Sequence, residues 1–131
     1  MSTYKILCVE DNSINMILMH HIFKRISHVE LLEAETAELG IEIAIREQPI
    51  VIIMDIQLPG IHGYEALQYL QKHERTKHIP VIAVSSFAMK TDIEKGLNAG
   101  FKQYITKPIN IKRFTQMIEQ FISVNNEDMN I

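Results

Sequence analysis

This sequence is short of several things, and each shortage excludes something. It has no tryptophan and one cysteine, Cys8, set in the apolar run Ile6-Leu7-Cys8-Val9. A lone thiol in such surroundings fits a reducing cytosol and reads as inert packing. No apolar stretch approaches the ~20 residues of a membrane span. The opening Met1-Ser2-Thr3-Tyr4-Lys5 has no secretory pattern. A cytoplasmic chain without membrane association is expected. Positive charge is not in excess either: 13 Lys and Arg stand against 16 Asp and Glu, for a net charge of −3. Phosphate backbones are bound by basic faces, so direct nucleic-acid binding is not expected. The six histidines include no His-x-x-x-His pair. Adjacent His20 and His21 point about 100° apart on a helix and cannot chelate together.

What is present is a globular balance. Of 131 residues, 47% are apolar and 22% charged, enough to bury one core and too few for two domains. Five short apolar runs read as buried strands, at 5–9, 29–34, 50–55, 80–85 and 103–106. The first, third and fourth are continuously apolar, as in a parallel sheet covered on both faces. Helical spacing fills the gaps. A stripe of Leu18, Met19, Ile22, Phe23 and Ile26 follows cap chemistry at Asp11-Asn12-Ser13. A second helix spans 36–47 and stops before Pro49, and a third follows Gly63. A fourth spans 90–99 and ends at Gly100, and a fifth holds Phe114, Ile118, Phe121 and Ile122. The expected architecture is α/β: a flavodoxin-like, doubly wound (βα)5 parallel sheet in strand order 2-1-3-4-5. One domain over 1–124 and a polar, frayed tail over 125–131 are expected.

In such sheets the working site lies beyond the carboxyl ends of the strands, where strand order reverses. The first strand ends in Glu10-Asp11, the third in Asp55, the fourth in Ser85-Ser86 and the fifth in Lys107-Pro108. Three carboxylates at one rim repel each other and call for a cation. Carboxylate oxygens, a carbonyl and retained waters suit a hard divalent ion, so Mg²⁺ is the expected cofactor. Asp11 and Asp55 are read as direct ligands, the Gln57 backbone carbonyl as a third, and Glu10 as acting through water. Asp55 lies between this metal side and the Ser85/Lys107 side. It is therefore the candidate nucleophile for a phosphoryl group whose other oxygens Lys107 and Ser85 would hold. Ser86 is small and leaves room beside it.

The segments Cys8-Val9-Glu10-Asp11-Asn12, Met54-Asp55-Ile56-Gln57-Leu58-Pro59-Gly60, Val84-Ser85-Ser86 and Tyr104-Ile105-Thr106-Lys107-Pro108 carry a resemblance. In order and spacing they are similar to the motifs of response regulator receiver domains, over nearly the whole chain. The stretch 78–108 looks most like the single-domain regulators of bacterial cell division. The resemblance implies a two-component phosphorelay response regulator, phosphorylated on Asp55 by a histidine kinase or phosphotransfer protein. Ser85 and Tyr104 would then act as the conformational switch, and Lys107-Pro108 would be joined by a cis peptide. Signal would pass to a downstream protein target by contact. The chain would not be an enzyme acting on a separate substrate. Ser85 stands where threonine is commoner, and Ser86 where alanine or glycine is more usual; neither change removes a needed group.

Met16 and Ile17 fall off the apolar stripe and close to Asp11, so they are expected to be exposed as a docking surface for the phosphoryl donor. Rival functions are weaker. A flavin-binding flavodoxin would want a Gly- or Ser/Thr-rich phosphate cradle after the first strand, where this chain has Glu10-Asp11. An aspartyl-phosphate phosphatase would want an acid or base two residues beyond Asp55, where this chain has Gln57. A receiver excised from a hybrid kinase or larger regulator is a third reading. The opening Met1 and the short polar tail favour a stand-alone chain, expected to be a monomer.

Overall fold

Strands and helices alternate strictly along the chain. The order is β1 (Tyr4–Val9), α1 (Ser13–Lys24), β2 (Val29–Ala34), α2 (Ala37–Glu47), β3 (Val51–Asp55), α3 (Gly63–Lys72), β4 (Val81–Ser85), α4 (Lys90–Ala99), β5 (Gln103–Thr106) and α5 (Ile111–Met129). These come from a computed structural model that describes residues 3–129. All strand pairs are parallel, in the order β2-β1-β3-β4-β5. The expected topology is therefore the observed one.

Successive residues of the central strands serve opposite faces. Leu7 and Val9 of β1, Ile52 and Met54 of β3, and Val81 and Ala83 of β4 pack with α2 and α3. Ile6 and Cys8, Val51 and Ile53, and Ile82 and Val84 pack with α1 and α5 on the other side. Two covered faces explain why these strands are continuously apolar. The edge strands depart from the expectation of burial. In β2 only Ala34 is fully buried, and β5 is half-buried throughout, because an edge strand has a neighbour on one side only. Burial pushes the Cys8 thiol pKa up, which keeps it a protonated packing group.

Local chemistry sets the helix ends. Asn12 caps α1, its Oδ1 accepting from the N–H groups of Ile14 (2.9 Å) and Asn15 (3.1 Å). Because α1 starts at Ser13, its buried stripe is Met16, Met19, Ile22 and Phe23. Met16 is 9% exposed and belongs to the core, which corrects the expectation of an exposed Met16. It lies three residues before Met19 and seven before Phe23, in phase with both; Leu18, read as part of the stripe, is only half-buried. Ile17 is exposed as expected, at 55%, and Ile14 at 74% joins it. α2 ends on Gln48 in a left-handed conformation (φ 51°), just before Pro49. α5 runs from Ile111 past residue 125 to Met129, and residues 130–131 lie outside those described.

Candidate functional site

Parallel strands in this order deliver their carboxyl ends to one rim. β1 stops at Val9, so Glu10 and Asp11 follow it; β3 ends on Asp55, β4 on Ser85, and Lys107 is the first residue past β5. The order reverses between β1 and β3, where the carboxylates meet. One oxygen each from Glu10, Asp11 and Asp55 lie within 4.8 Å of one another. No other such triad of His, Cys, Asp or Glu occurs among the described residues. His20 pairs with Glu33 instead of joining a metal cluster.

Across the cluster the Lys107 ammonium donates to Asp55 Oδ2 at 3.0 Å and lies 3.7 Å from Glu10 Oε2. Lys107 and Pro108 are joined by a cis peptide, as the resemblance implied. The second Asp55 oxygen, Oδ1, accepts from the Gln57 N–H at 2.8 Å. Asp55 is only 4% exposed, so both its oxygens are positioned before any ligand arrives. Burial works to lower the Lys107 pKa, but the bond to Asp55 and the charges of Asp55 and Glu10 outweigh it and leave it raised. Lys107 therefore stays an ammonium. Glu10 shifts upward, first because it is buried and then because Asp55 lies beside it. Two carboxylates crowded like this, with one further acid at the surface, form a donor set of hard oxygens that fits Mg²⁺.

Two donors absent from the sequence reading fix Glu10. Its Oε1 accepts from the Asn12 N–H (3.1 Å) and from the Asn15 side-chain amide (3.2 Å). The signal for Asn15 was its place in the first turn of α1, three residues after the cap. On the opposite rim the Ser85 hydroxyl is fully buried and accepts from the Phe87 N–H at 3.0 Å. Tyr104, half-buried on the same side, donates its hydroxyl to the Phe87 carbonyl at 2.7 Å. Ser85 and Tyr104 are thus brought together through the backbone of one residue, Phe87. The Gln57 side chain, expected to matter only through its carbonyl, accepts from Ser86 Oγ at 2.8 Å and ties the two loops flanking Asp55. Next to Lys107 a cavity of about 420 Å³ opens between α1 and the turn after β5, lined by Asn15, Leu18, Pro108 and Ile109. Exposed Ile17 and Ile14 project from the same helix; buried Met16 does not join them.

Known proteins resemble this chain in sequence and in fold. The chain is similar to the polar-differentiation response regulator DivK of Brucella ovis, 38% identical over 120 residues that make up 92% of this chain and 97% of that one. The DivK of Brucella anthropi is 37% identical over 117 residues, 89% of this chain and 94% of that one. Among solved structures, the receiver domain of a Pseudomonas aeruginosa sensor histidine kinase, with a magnesium ion coordinated in its active site cleft, superposes with a TM-score of 0.83. It is 25% identical and the match covers 93% of this chain and 99% of that one. The chemotaxis response regulator CheY4 of Vibrio cholerae shares the fold at a TM-score of 0.82 and 18% identity, over 92% of this chain and 99% of that one. None of these favours a flavin-binding reading. Residues 6–119 match the response regulator receiver domain along their whole length, and the chain belongs to that family, as a phosphorelay response regulator.

Proposed function

We propose that Asp55 is the phosphoacceptor, taking a phosphoryl group from a phosphohistidine of a histidine kinase or phosphotransfer protein in a Mg²⁺-assisted step. The observation that carries this reading is the placement of Asp55, with Lys107 at 3.0 Å on one side and the Glu10/Asp11 carboxylates on the other. An Asp55 oxygen attacks phosphorus, the P–N bond to the donor imidazole breaks, and the nitrogen keeps the electron pair. Bound by Asp11, Asp55 and the Gln57 carbonyl, Mg²⁺ would neutralise the carboxylates and the incoming phosphoryl oxygens. Glu10 is suited to a water-mediated role, because Asn12 and Asn15 already occupy one of its oxygens and Lys107 faces the other. Lys107 supplies a fixed cation for a phosphoryl oxygen. The Ser85 hydroxyl turns from Phe87 toward the phosphoryl group, and the Tyr104 ring moves into the space it leaves.

The chain is then a switch: it catalyses only its own phosphorylation and hydrolysis. Its donor docks on the α1 side, over Ile17 and the cavity beside Lys107, and a downstream protein reads the face of α4, β5 and α5. No helix among the described residues is long and apolar enough to cross a membrane.

Intact mass after incubation with acetyl phosphate and Mg²⁺ tests the acceptor. One added phosphoryl group is expected, lost in Asp55→Asn and in excess chelator; labelling that survives Asp55→Asn overturns the assignment. Asp11→Ala is expected to weaken Mg²⁺ binding, followed by calorimetry, far more than Glu10→Gln does, and equal losses would remove the distinction between direct and water-mediated ligands.

A further inference from the structure

Helix α4 has one buried residue, and it is a glycine, Gly96. A glycine in mid-helix weakens the helix, because it restricts the unfolded backbone least and leaves main chain open to water. Its location supplies the reason for it. A Cβ on Gly96 would lie 2.6 Å from Cδ2 and 2.9 Å from Cε2 of Tyr104, inside any allowed contact. The Tyr104 ring thus lies directly on the helix backbone, and its hydroxyl reaches the Phe87 carbonyl from there. The same missing Cβ would also lie 3.6 Å from the hydroxyl of a second tyrosine, Tyr64.

Tyr64 connects this seat to the other loop beside Asp55. Its ring packs edge-on against Phe101 at 5.5 Å and stacks with His62 at 5.7 Å. The Lys95 ammonium sits 5.0 Å above the ring, so α4 touches it through a cation–π contact as well. One residue earlier, Gly63 is pressed onto the chain that leaves β3. Its N–H donates to the Ile56 carbonyl at 3.0 Å, and a Cβ there would lie 2.7 Å from Ile56 Cα and 3.0 Å from the Asp55 carbonyl oxygen. A shift of the Asp55–Ile56 backbone must therefore carry Gly63 and Tyr64 with it.

We propose that Gly96 is the seat of the Tyr104 ring, and that Tyr64, which abuts the same glycine, is a positioning residue carrying the state of the Asp55 loop to α4. Helix α4 then rests on two tyrosines, one tied to each loop that flanks Asp55. Tyr104 reports through Phe87 and the strand that ends in Ser85; Tyr64 reports through Gly63 and Ile56. For its input the proposal rests on the phosphoacceptor reading above, whereas the seating of the ring can be read without any phosphoryl group.

NMR of the full chain, unmodified and with Mg²⁺ and beryllofluoride as the phosphoryl mimic, separates the parts. In unmodified Gly96→Ala the Tyr104 ring resonances are expected to move, and the α4 amides to shift along the line toward the beryllofluoride positions of the wild type. Unchanged Tyr104 ring resonances in that variant overturn the seat. Tyr64→Leu keeps an apolar contact on Phe101 and removes the ring. It is expected to label at Asp55 within twofold of the wild-type rate while at least halving the beryllofluoride response of the α4 amides. Tyr64→Phe restores the ring that the Lys95 ammonium covers, gives up only the hydroxyl's ordinary 3.6 Å approach to the Gly96 Cβ position, and is expected to recover that response. A full response in Tyr64→Leu, or failure of Tyr64→Phe to recover it, overturns the positioning role. A wild-type chain that neither labels nor responds to beryllofluoride overturns the phosphoacceptor reading and the Tyr64 coupling with it, and leaves the ring-seat result standing on its own spectra.

Discussion

Helices α1 and α4 are similar in length, at 12 and 10 residues, but they are held to the sheet by different means. α1 buries Met16, Met19, Ile22 and Phe23, and Phe23 meets Phe114 of α5 edge-on at 5.9 Å. Its first turn also pins Glu10 through Asn15. α4 buries Gly96 alone, leaves Leu97 and Met89 at its start exposed, and meets Tyr104, Tyr64 and, at its end, the Gln71 side chain that donates to the Ala99 carbonyl. A helix with four side chains in a close-packed core has one position. A helix whose one buried residue is a glycine gives up little buried apolar area if it shifts. The α1 side of the site is thus held by more buried side chains than the α4 side.

The contrast is easiest to break at the core. Phe114→Ala is expected to destabilise the protein by about 3–5 kcal/mol, whereas Leu97→Ala on α4 should stay within about 0.5 kcal/mol. Urea unfolding measures both, and comparable losses would abolish the distinction. The two glycines sharpen it. In Gly63→Ala the added methyl meets backbone, which cannot step aside, so a loss of about 1–3 kcal/mol and slower labelling by acetyl phosphate are expected. In Gly96→Ala it meets a ring that can move, and the gain in helix propensity offsets the displacement, so stability should change by less than about 1 kcal/mol.

Next in size are effects on partners. Ile17→Glu should slow phosphoryl transfer from the cognate donor by about tenfold, the scale of one buried interface side chain, and spare labelling by acetyl phosphate. Tyr104→Ala should spare both and alter binding of the downstream target. An Ile17→Glu chain that loses target binding and keeps donor transfer would reverse the two faces.

The smallest effect is electrostatic. The pKa of Glu10 in the folded, metal-free protein lies above its ordinary 4.5, so the native state holds that proton more tightly than the unfolded chain does. Stability contributed by this group therefore rises as pH falls through the raised value, and levels off below 4.5. Glu10→Gln should accordingly stabilise the metal-free protein at neutral pH, with the advantage fading in acid. Lys107 follows the same sign in an alkaline window: its raised pKa contributes stability that is complete below 10.5 and is lost as pH rises through the folded value. A lower urea midpoint for Glu10→Gln at neutral pH would show that the pull of Lys107 outweighs the crowding by Asp55.

Much of this molecule was legible in its residues. Continuous apolar runs separated by helical stripes determine a parallel sheet, because only a sheet covered on both faces hides such strands. Once the strand order follows, Glu10, Asp11, Asp55, Ser85 and Lys107 must share a rim, since strand ends alone decide where they emerge. What the sequence left undecided depends on angles and neighbours. Met16 looked like a surface residue until the start of α1 at Ser13 set its phase against Met19 and Phe23. The donors on Glu10, the Ser86–Gln57 bond and the shared hold of Ser85 and Tyr104 on Phe87 join residues whose contacts only the packed loops create. Gly96 reads in sequence as a weak point in a helix. Its meaning came from a ring eight residues later in the chain that folds back onto it, and no pattern along one dimension records that approach.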